Sequence, residues 1–407
     1  MKFDFESIMD RHGMDAIAID GLGHGFAPSL PKGDFDAIPM WVADMNFPTV
    51  PSVCREIEKR IAHPAFGYFD PRDEYYESII RWHNMRNGVS DMKPEHIGYE
   101  NGVLGGLLSA LGTFASRGDS VLVHSPTYIG FTMSLKNAGY NIVHSPLRLD
   151  TDGKWRMDFD DMEKKLKENR IHAAIFCSPH NPTGRVWEKC EIRQAMEIYE
   201  KYDVSVVSDE IWSDILLNGN RHVPTQSVSD YARERTVALY APSKTFNLAG
   251  LVGAYHVIYN KTLRDRVLKE SSLSHYNSMN MLSMYALIGA YSDEGMLWTD
   301  ELCQVLTGNV TYACNYIEKN FKGVSISRPE GTYMLFPAFK EWLSEHGTTL
   351  EELVTAGCDV GVAWQNGKVH GGTDHIRMNL ALPLSRVEEA FRRLDRYVIN
   401  KLGISYV

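Results

Sequence analysis

HAAIFCSPHNPTG, residues 172–184, is a short unbroken apolar run that stops at a turn rich in Pro and Gly. An apolar run of this length without polar alternation reads as a strand buried on both faces. The same construction recurs on either side. SVLVHSPTY covers 120–128, VSVVSDEIW covers 204–212 and TVALYAPSKTF covers 236–246, and AYHVIY at 254–259 is a further strand. Between them, residues 103–114, 159–167 and 188–202 carry apolar positions at helical spacing. Strands alternating with helices specify a mostly parallel sheet sandwiched by helices, an α/β fold.

The flanking regions have a different texture. Residues 1–50 are loop-like, punctuated by Gly21, Gly23, Gly25, Pro28, Pro31, Gly33, Pro39 and Pro48. Helices are expected at 51–63 and at 72–88, where Tyr75, Ile79, Trp82 and Met85 fall on one face. Beyond about residue 290 a long helix is expected over 295–320. Short strands follow at 323–327, 332–337 and 375–380, then an amphipathic helix at 386–401. The expected organisation is an N-terminal arm (1–50) contributing to the small domain and the active-site entrance, a large domain (51–290) and a smaller α+β domain (291–407).

With 407 residues the chain can bury an extensive core without staples. A formal net charge of −10 leaves no electrostatic footprint for nucleic acid or for an anionic membrane. No stretch approaches the roughly 18 apolar residues of a membrane span, and the acidic N-terminus is no signal peptide. The six cysteines form no C-x-x-C pair and read as reduced thiols of a cytoplasmic protein. No metal site is suggested.

In open α/β sheets ligands gather at the carboxyl ends of the strands. Four strand ends there carry Tyr128, Asn181, Asp209 and Lys244, and Asn101-Gly102-Val103-Leu104-Gly105-Gly106 opens a helix whose amides can bind phosphate. Each feature alone has a plain reading. Asn-Pro-Thr-Gly is a turn, an Asp after a strand is a helix cap, a lone lysine is a surface lysine, and a Gly pair marks close packing. His124, His180 and His275 carry nothing that makes them ligands or bases. The set is what signals: an amine, a carboxylate, an amide, an aromatic plate and a phosphate nest. This suits pyridoxal phosphate (PLP), whose aldehyde condenses with a lysine and whose pyridine nitrogen needs a buried carboxylate to stay protonated.

The order G-V-L, P-T-Y, N-P-T-G, S-D-E and A-P-S-K-T-F-N-L-A-G resembles the fold-type I PLP-dependent aminotransferase superfamily. Met40-Trp41-Val42-Ala43-Asp44-Met45-Asn46-Phe47-Pro48, Phe66-Gly67-Tyr68, Glu330-Gly331-Thr332-Tyr333 and His375-Ile376-Arg377-Met378-Asn379-Leu380-Ala381 are similar to the MalY/PatB-type cystathionine β-lyases within it. The resemblance implies Lys244 as the Schiff-base lysine, Asp209 as partner of the ring nitrogen and Asn181 as donor to the phenolic oxygen. It implies Tyr128 as the ring stacked on the cofactor. Phosphate contacts would come from the Val103 and Leu104 amides, Ser243, and Tyr68 acting on the neighbouring subunit, which implies a homodimer with shared sites. Arg377 would grip the substrate carboxylate.

Three positions depart from the pattern. Trp212 stands where relatives have Tyr or His, Val252 where aminotransferases have an arginine on the phosphate, and Asn46 where the lyase subgroup commonly has Asp. The implied activity is a carbon–sulfur β-lyase acting on cystathionine or another L-cysteine S-conjugate. An aminotransferase uses the same groups and is the alternative; the missing arginine at 252 favours the lyase. A regulatory protein that keeps the fold is a further alternative, against which stand the intact Lys244, Asp209 and Asn181.

Overall fold

The computed structural model describes residues 1–274 and 277–400. Seven strands form its main sheet: β1 (Ile97–Asn101), β2 (Ser120–Ser125), β3 (Asn141–Pro146), β4 (Ala173–Cys177), β5 (Ser205–Asp209), β6 (Thr236–Tyr240) and β7 (Gly253–Val257). Their order is β1-β7-β6-β5-β4-β2-β3. β3, β2, β4, β5 and β6 run parallel, and β7 is antiparallel to both of its neighbours. The sheet is mostly parallel, as the strand–helix alternation predicts.

Every residue of β4, β5 and β6 is buried, which is why these strands read as continuous apolar runs. The two-residue period of a strand then sorts side chains between faces. Ala173, Ile175 and Cys177 pack with the helix Gly102–Phe114, through Leu107 and Leu111. Ala174 and Phe176 pack on the other face against Ile192, Met196 and Tyr199 of the helix Lys189–Lys201. Of the glycine pair, Gly106 is the one that close packing requires. A Cβ there would lie 2.7 Å from Leu239 of β6 and 2.9 Å from Glu100 of β1, so its absence lets the helix sit down on the sheet.

The C-terminal part begins on the long helix Asp293–Asn320, capped by Ser292, whose hydroxyl accepts from the Gly295 amide at 3.1 Å. A small antiparallel sheet follows. Its strands are β8 (Met334–Leu335), β9 (Gln365–Asn366) and β10 (Ile376–Asn379), in the order β8-β10-β9. The strand expected at 323–327 is not one. Val324 and Ile326 pack against the core, but only Ser325 pairs, through two bonds with Ala338. The strand expected at 332–337 shrinks to β8. The final helix, Leu384–Leu394, ends earlier than expected, in a π-turn over 395–399, and residue 401 lies outside the described residues.

Residues 1–50 are largely irregular, yet they are tied down. Ile38–Pro39 pairs in parallel with Val362–Ala363, and the Asn46 amide donates to Ala381 at 2.8 Å. No helix among the described residues is long and apolar enough to cross a membrane. All six cysteines are free.

Candidate active site

Parallel register brings the strand ends to one rim: Cys177 pairs with Asp209, and Asp209 with Leu239. A cavity of about 220 Å³ opens there. Tyr128, Asn181, Asp209, Ser243, Lys244, Val103 and Leu104 all line it, so the structure brings together seven of the nine residues singled out in the sequence.

Lys244 lies in the turn that follows β6. That turn is closed by the Phe246 amide on Pro242 and the Leu248 amide on Ser243. Its Nζ donates to the Ala43 carbonyl at 2.8 Å. Burial lowers the amine's pKa to about 8, and the nearby Arg377 charge adds to the effect. A lysine so placed holds a usable fraction of neutral amine near neutral pH. Asp209, the last residue of β5, is buried and accepts from the Ile211 amide at 3.1 Å. Burial pushes its carboxyl up to about 7. Burial outweighs the backbone bond and the nearby Lys244 charge, which both pull the other way; a cation directly against the carboxyl would hold it ionised.

Asn181 sits in a loop pinned at both ends. The Ser178 amide donates to the Asp209 main-chain carbonyl at 2.9 Å, and the His180 amide donates to the Arg185 carbonyl at 2.8 Å. The Asn181 Oδ1 is buried without a partner. Tyr128 precedes the helix Ile129–Ala138. Its ring folds back over Gly130, where a Cβ would fall 2.3 Å from it. Val103 and Leu104 lie in the first turn of Gly102–Phe114, where amides have no intrahelical acceptor.

Arg377, on β10, is buried beside the cavity. Its Nη2 donates to the Trp41 carbonyl at 2.9 Å, while Nε and Nη1 have no partner. Burial lowers its pKa to about 10, so it remains charged at neutral pH. Arg377 and Tyr68 are the two candidates that do not line the cavity, and Tyr68 alone is set apart from it, fully exposed.

The departures have physical counterparts. Trp212 lines the cavity and presents its ring to Lys244 Nζ at 5.9 Å. Val252 also lines it, half exposed, with a left-handed φ of 63° that β-branched residues avoid. Asn46 is buried and accepts from Arg11 Nη1 at 3.2 Å. His180 is a satisfied structural imidazole: its Nδ1 meets Thr183 Oγ1 at 2.8 Å, and burial lowers its pKa to about 3. His124 is buried against Phe176 and lowered by burial to about 4. Neither lines the cavity. His275 lies outside the described residues.

Sequence reading took residues 40–48 as a family signature but missed the main-chain contacts that the strap at 41–46 makes. Its carbonyls engage the site in turn: Trp41 takes Arg377, Ala43 takes Lys244 and the Tyr333 hydroxyl, and Val42 and Asp44 take Asn379. These are main-chain acceptors, and an alanine carbonyl leaves no mark in a side-chain pattern.

The residues fit a phosphorylated pyridine aldehyde. They supply an amine, a buried acid with a raised pKa, a side-chain amide whose NH2 can donate, an aromatic plate and open amides of one helix.

Residues 37–394 match the aminotransferase class I and II family, and the chain belongs to it. Among its relatives is cystathionine beta-lyase PatB of Bacillus subtilis. The two are 32% identical over 394 residues, covering 96% of this chain and 98% of that protein. Protein MalY of Escherichia coli is 27% identical over 391 residues, covering 95% and 96%. Cystalysin from Treponema denticola, whose crystal structure contains pyridoxal 5'-phosphate, superimposes with a TM-score of 0.89. Its identity is 29%, over 97% of this chain and 98% of that one. The PLP-bound C-S lyase from Staphylococcus hominis superimposes at 0.87 with 28% identity, over 98% and 100%.

Proposed function

We infer that this chain is a PLP-dependent carbon–sulfur β-lyase that cleaves cystathionine or another L-cysteine S-conjugate to a thiol, pyruvate and ammonia. The observation that carries it is the shared wall: the Lys244 amine and the Asp209 carboxyl line one cavity, beside a buried arginine with two unpartnered nitrogens. Lyases among the relatives, PatB and the Staphylococcus hominis enzyme, favour elimination over amino-group transfer.

PLP, when bound, supplies an electron sink for the charge left at the substrate α-carbon. The chain does the rest. Lys244 would hold the cofactor through its amine, and that amine, when free and neutral, would act as general base toward the substrate α-proton. Asp209 would keep a proton at the ring nitrogen, Asn181 would donate to the phenolic oxygen and Tyr128 would stack on the ring. The Val103 and Leu104 amides and Ser243 would hold the phosphate. Arg377 would grip the substrate carboxylate through Nε and Nη1 as a fork and so orient the substrate. With the α-proton gone, the Cβ–S bond electrons would leave with sulfur as a thiolate that takes up a proton, and the three-carbon remainder would take up water to give pyruvate and ammonia.

The same reading takes 51–290 as the large cofactor-binding domain, 291–407 as the small domain and 1–50 as an arm. It takes the protein as a cytoplasmic homodimer in which the exposed Tyr68 serves the partner's site. The test is incubation with cystathionine and no keto acid. Pyruvate formed in step with thiol release supports the lyase; product that appears only when a keto acid is added makes it an aminotransferase.

A further inference from the structure

The Ala43 carbonyl accepts two hydrogen bonds at once, from Lys244 Nζ at 2.8 Å and from the Tyr333 hydroxyl at 3.0 Å. Tyr333 is wholly buried. It does not line the cavity; its hydroxyl reaches Lys244 through that shared oxygen, and its ring through Trp212, which lies between them.

The carbonyl does not depend on Tyr333 for its position. On one side Arg377 holds the Trp41 carbonyl at 2.9 Å and Asn379 holds that of Val42 at 2.7 Å. On the other side the Asn247 side chain brackets Met45, accepting from its amide at 3.0 Å and donating to its carbonyl at 2.9 Å. The Tyr333 hydroxyl is therefore an electronic influence more than a brace. Two donors on one oxygen compete for its electron density, so each bond is weaker than it would be alone. The form of Lys244 that needs this acceptor most is the ammonium, since hydrogen bonds from a charged donor are the stronger ones.

We propose that Tyr333 is a positioning residue for the reaction: its hydroxyl, by sharing the Ala43 carbonyl, weakens the seat of the Lys244 ammonium and keeps that amine ready to take a proton. The proposal rests on the reading of Lys244 as general base. The other groups facing Lys244 are Arg377, Asp44, Asp209 and the Trp212 ring. Those facing Tyr333 are Asp44, Arg377 and Trp212. All of them stay in place when only the hydroxyl is removed.

Tyr333→Phe removes that hydroxyl and keeps the ring against Trp212. In the full-length chain before cofactor is added, the pH dependence of Lys244 acylation by trace acetic anhydride, followed by peptide mass, gives the amine's midpoint. The expected result is a midpoint raised by about half a pH unit or more in Y333F. In the holoenzyme the acid limb of kcat, which reports the substrate complex in which the Lys244 amine is free, should move to higher pH by the same amount, with KM little changed. Fluorotyrosine at 333, a stronger donor of nearly the same shape, should move the midpoint the other way, and it decides the matter should Y333F not fold. A Y333F midpoint that is unmoved or lowered in a chain with native circular dichroism overturns the proposal. Borohydride reduction of the PLP-loaded chain separates the two readings. Failure to fix cofactor on Lys244 defeats the lyase assignment, whereas cofactor fixed on Lys244 with an unmoved midpoint defeats the role of Tyr333 alone.

Discussion

Trp212 meets Tyr333 edge-on, with ring centroids 4.7 Å apart and planes at 76°. The indole is buried and offers its face to Lys244 Nζ at 5.9 Å, within range of a cation–π attraction. One side chain thus fills the floor of the cavity and favours the charged amine. Trp212→Ala should destabilise the chain by about 3–5 kcal/mol through the cavity it leaves, read from urea unfolding. Trp212→Phe keeps most of the packing and a weaker ring face. The midpoint of Lys244 acylation should move to lower pH by about half a unit, the size of a cation–π contact of about 0.5–1 kcal/mol. A midpoint unmoved in a Phe variant with native stability would mean that the ring charge does not act on Lys244.

The Asp209 carboxyl, raised by burial to about 7, makes the cofactor-free chain sensitive to pH. An unfolded carboxyl titrates near 3.9, so between the two values the folded chain holds the proton that the unfolded chain has lost. The stability from this group is complete below about pH 4 and is lost as pH rises through about 7. Its upper limit is about 4 kcal/mol, from about three pH units at 1.36 kcal/mol each. Asp209→Asn cannot ionise there. Denaturant unfolding at pH 4 and pH 8 should therefore show Asp209→Asn gaining on wild type at the higher pH. Equal differences at both would contradict the burial-driven shift.

Arg377 keeps two guanidinium nitrogens without a protein partner while a third is spent on Trp41. A lysine in its place supplies charge but no fork. Arg377→Lys should raise KM for cystathionine by about 10–100-fold, the value of one charge-assisted hydrogen bond, and lower kcat less. A KM within about threefold of wild type would remove the carboxylate from this residue.

What was legible in the sequence follows from burial. The central strands β4, β5 and β6 are covered on both faces, so their residues had to be apolar and their ends had to stop abruptly. That exposed Asn181, Asp209 and Lys244 in one pass. β1 and β3, the two edges of the sheet, escaped notice: IGYEN carries a glycine, and NIVHSP is mostly solvent-facing. The contacts of the strap at 41–46 escaped for another reason. They run through main-chain oxygens, and the strap's neighbours Tyr333 and Asn379 lie far along the chain, joined to it only by the fold. Val324 and Ile326 misled in the opposite direction, because apolar alternation can be satisfied by packing alone.

Tyr68 offers a test of the shared site that needs no structure of the assembly. Its side chain is fully exposed and lines no part of its own chain's cavity, whereas Lys244 lines that cavity. If each site takes Lys244 from one subunit and Tyr68 from the other, Lys244→Ala and Tyr68→Ala homodimers are both impaired, the first completely. Unfolding the two together at equal amounts and refolding them gives hybrids in about half of the dimers, each with one intact site. Activity should return to about a quarter of wild type, with one intact site in every two hybrid sites and none in the homodimers. Mixing without subunit exchange should give no such gain. Activity that stays at the average of the two parents after exchange would place Tyr68 outside the neighbouring site.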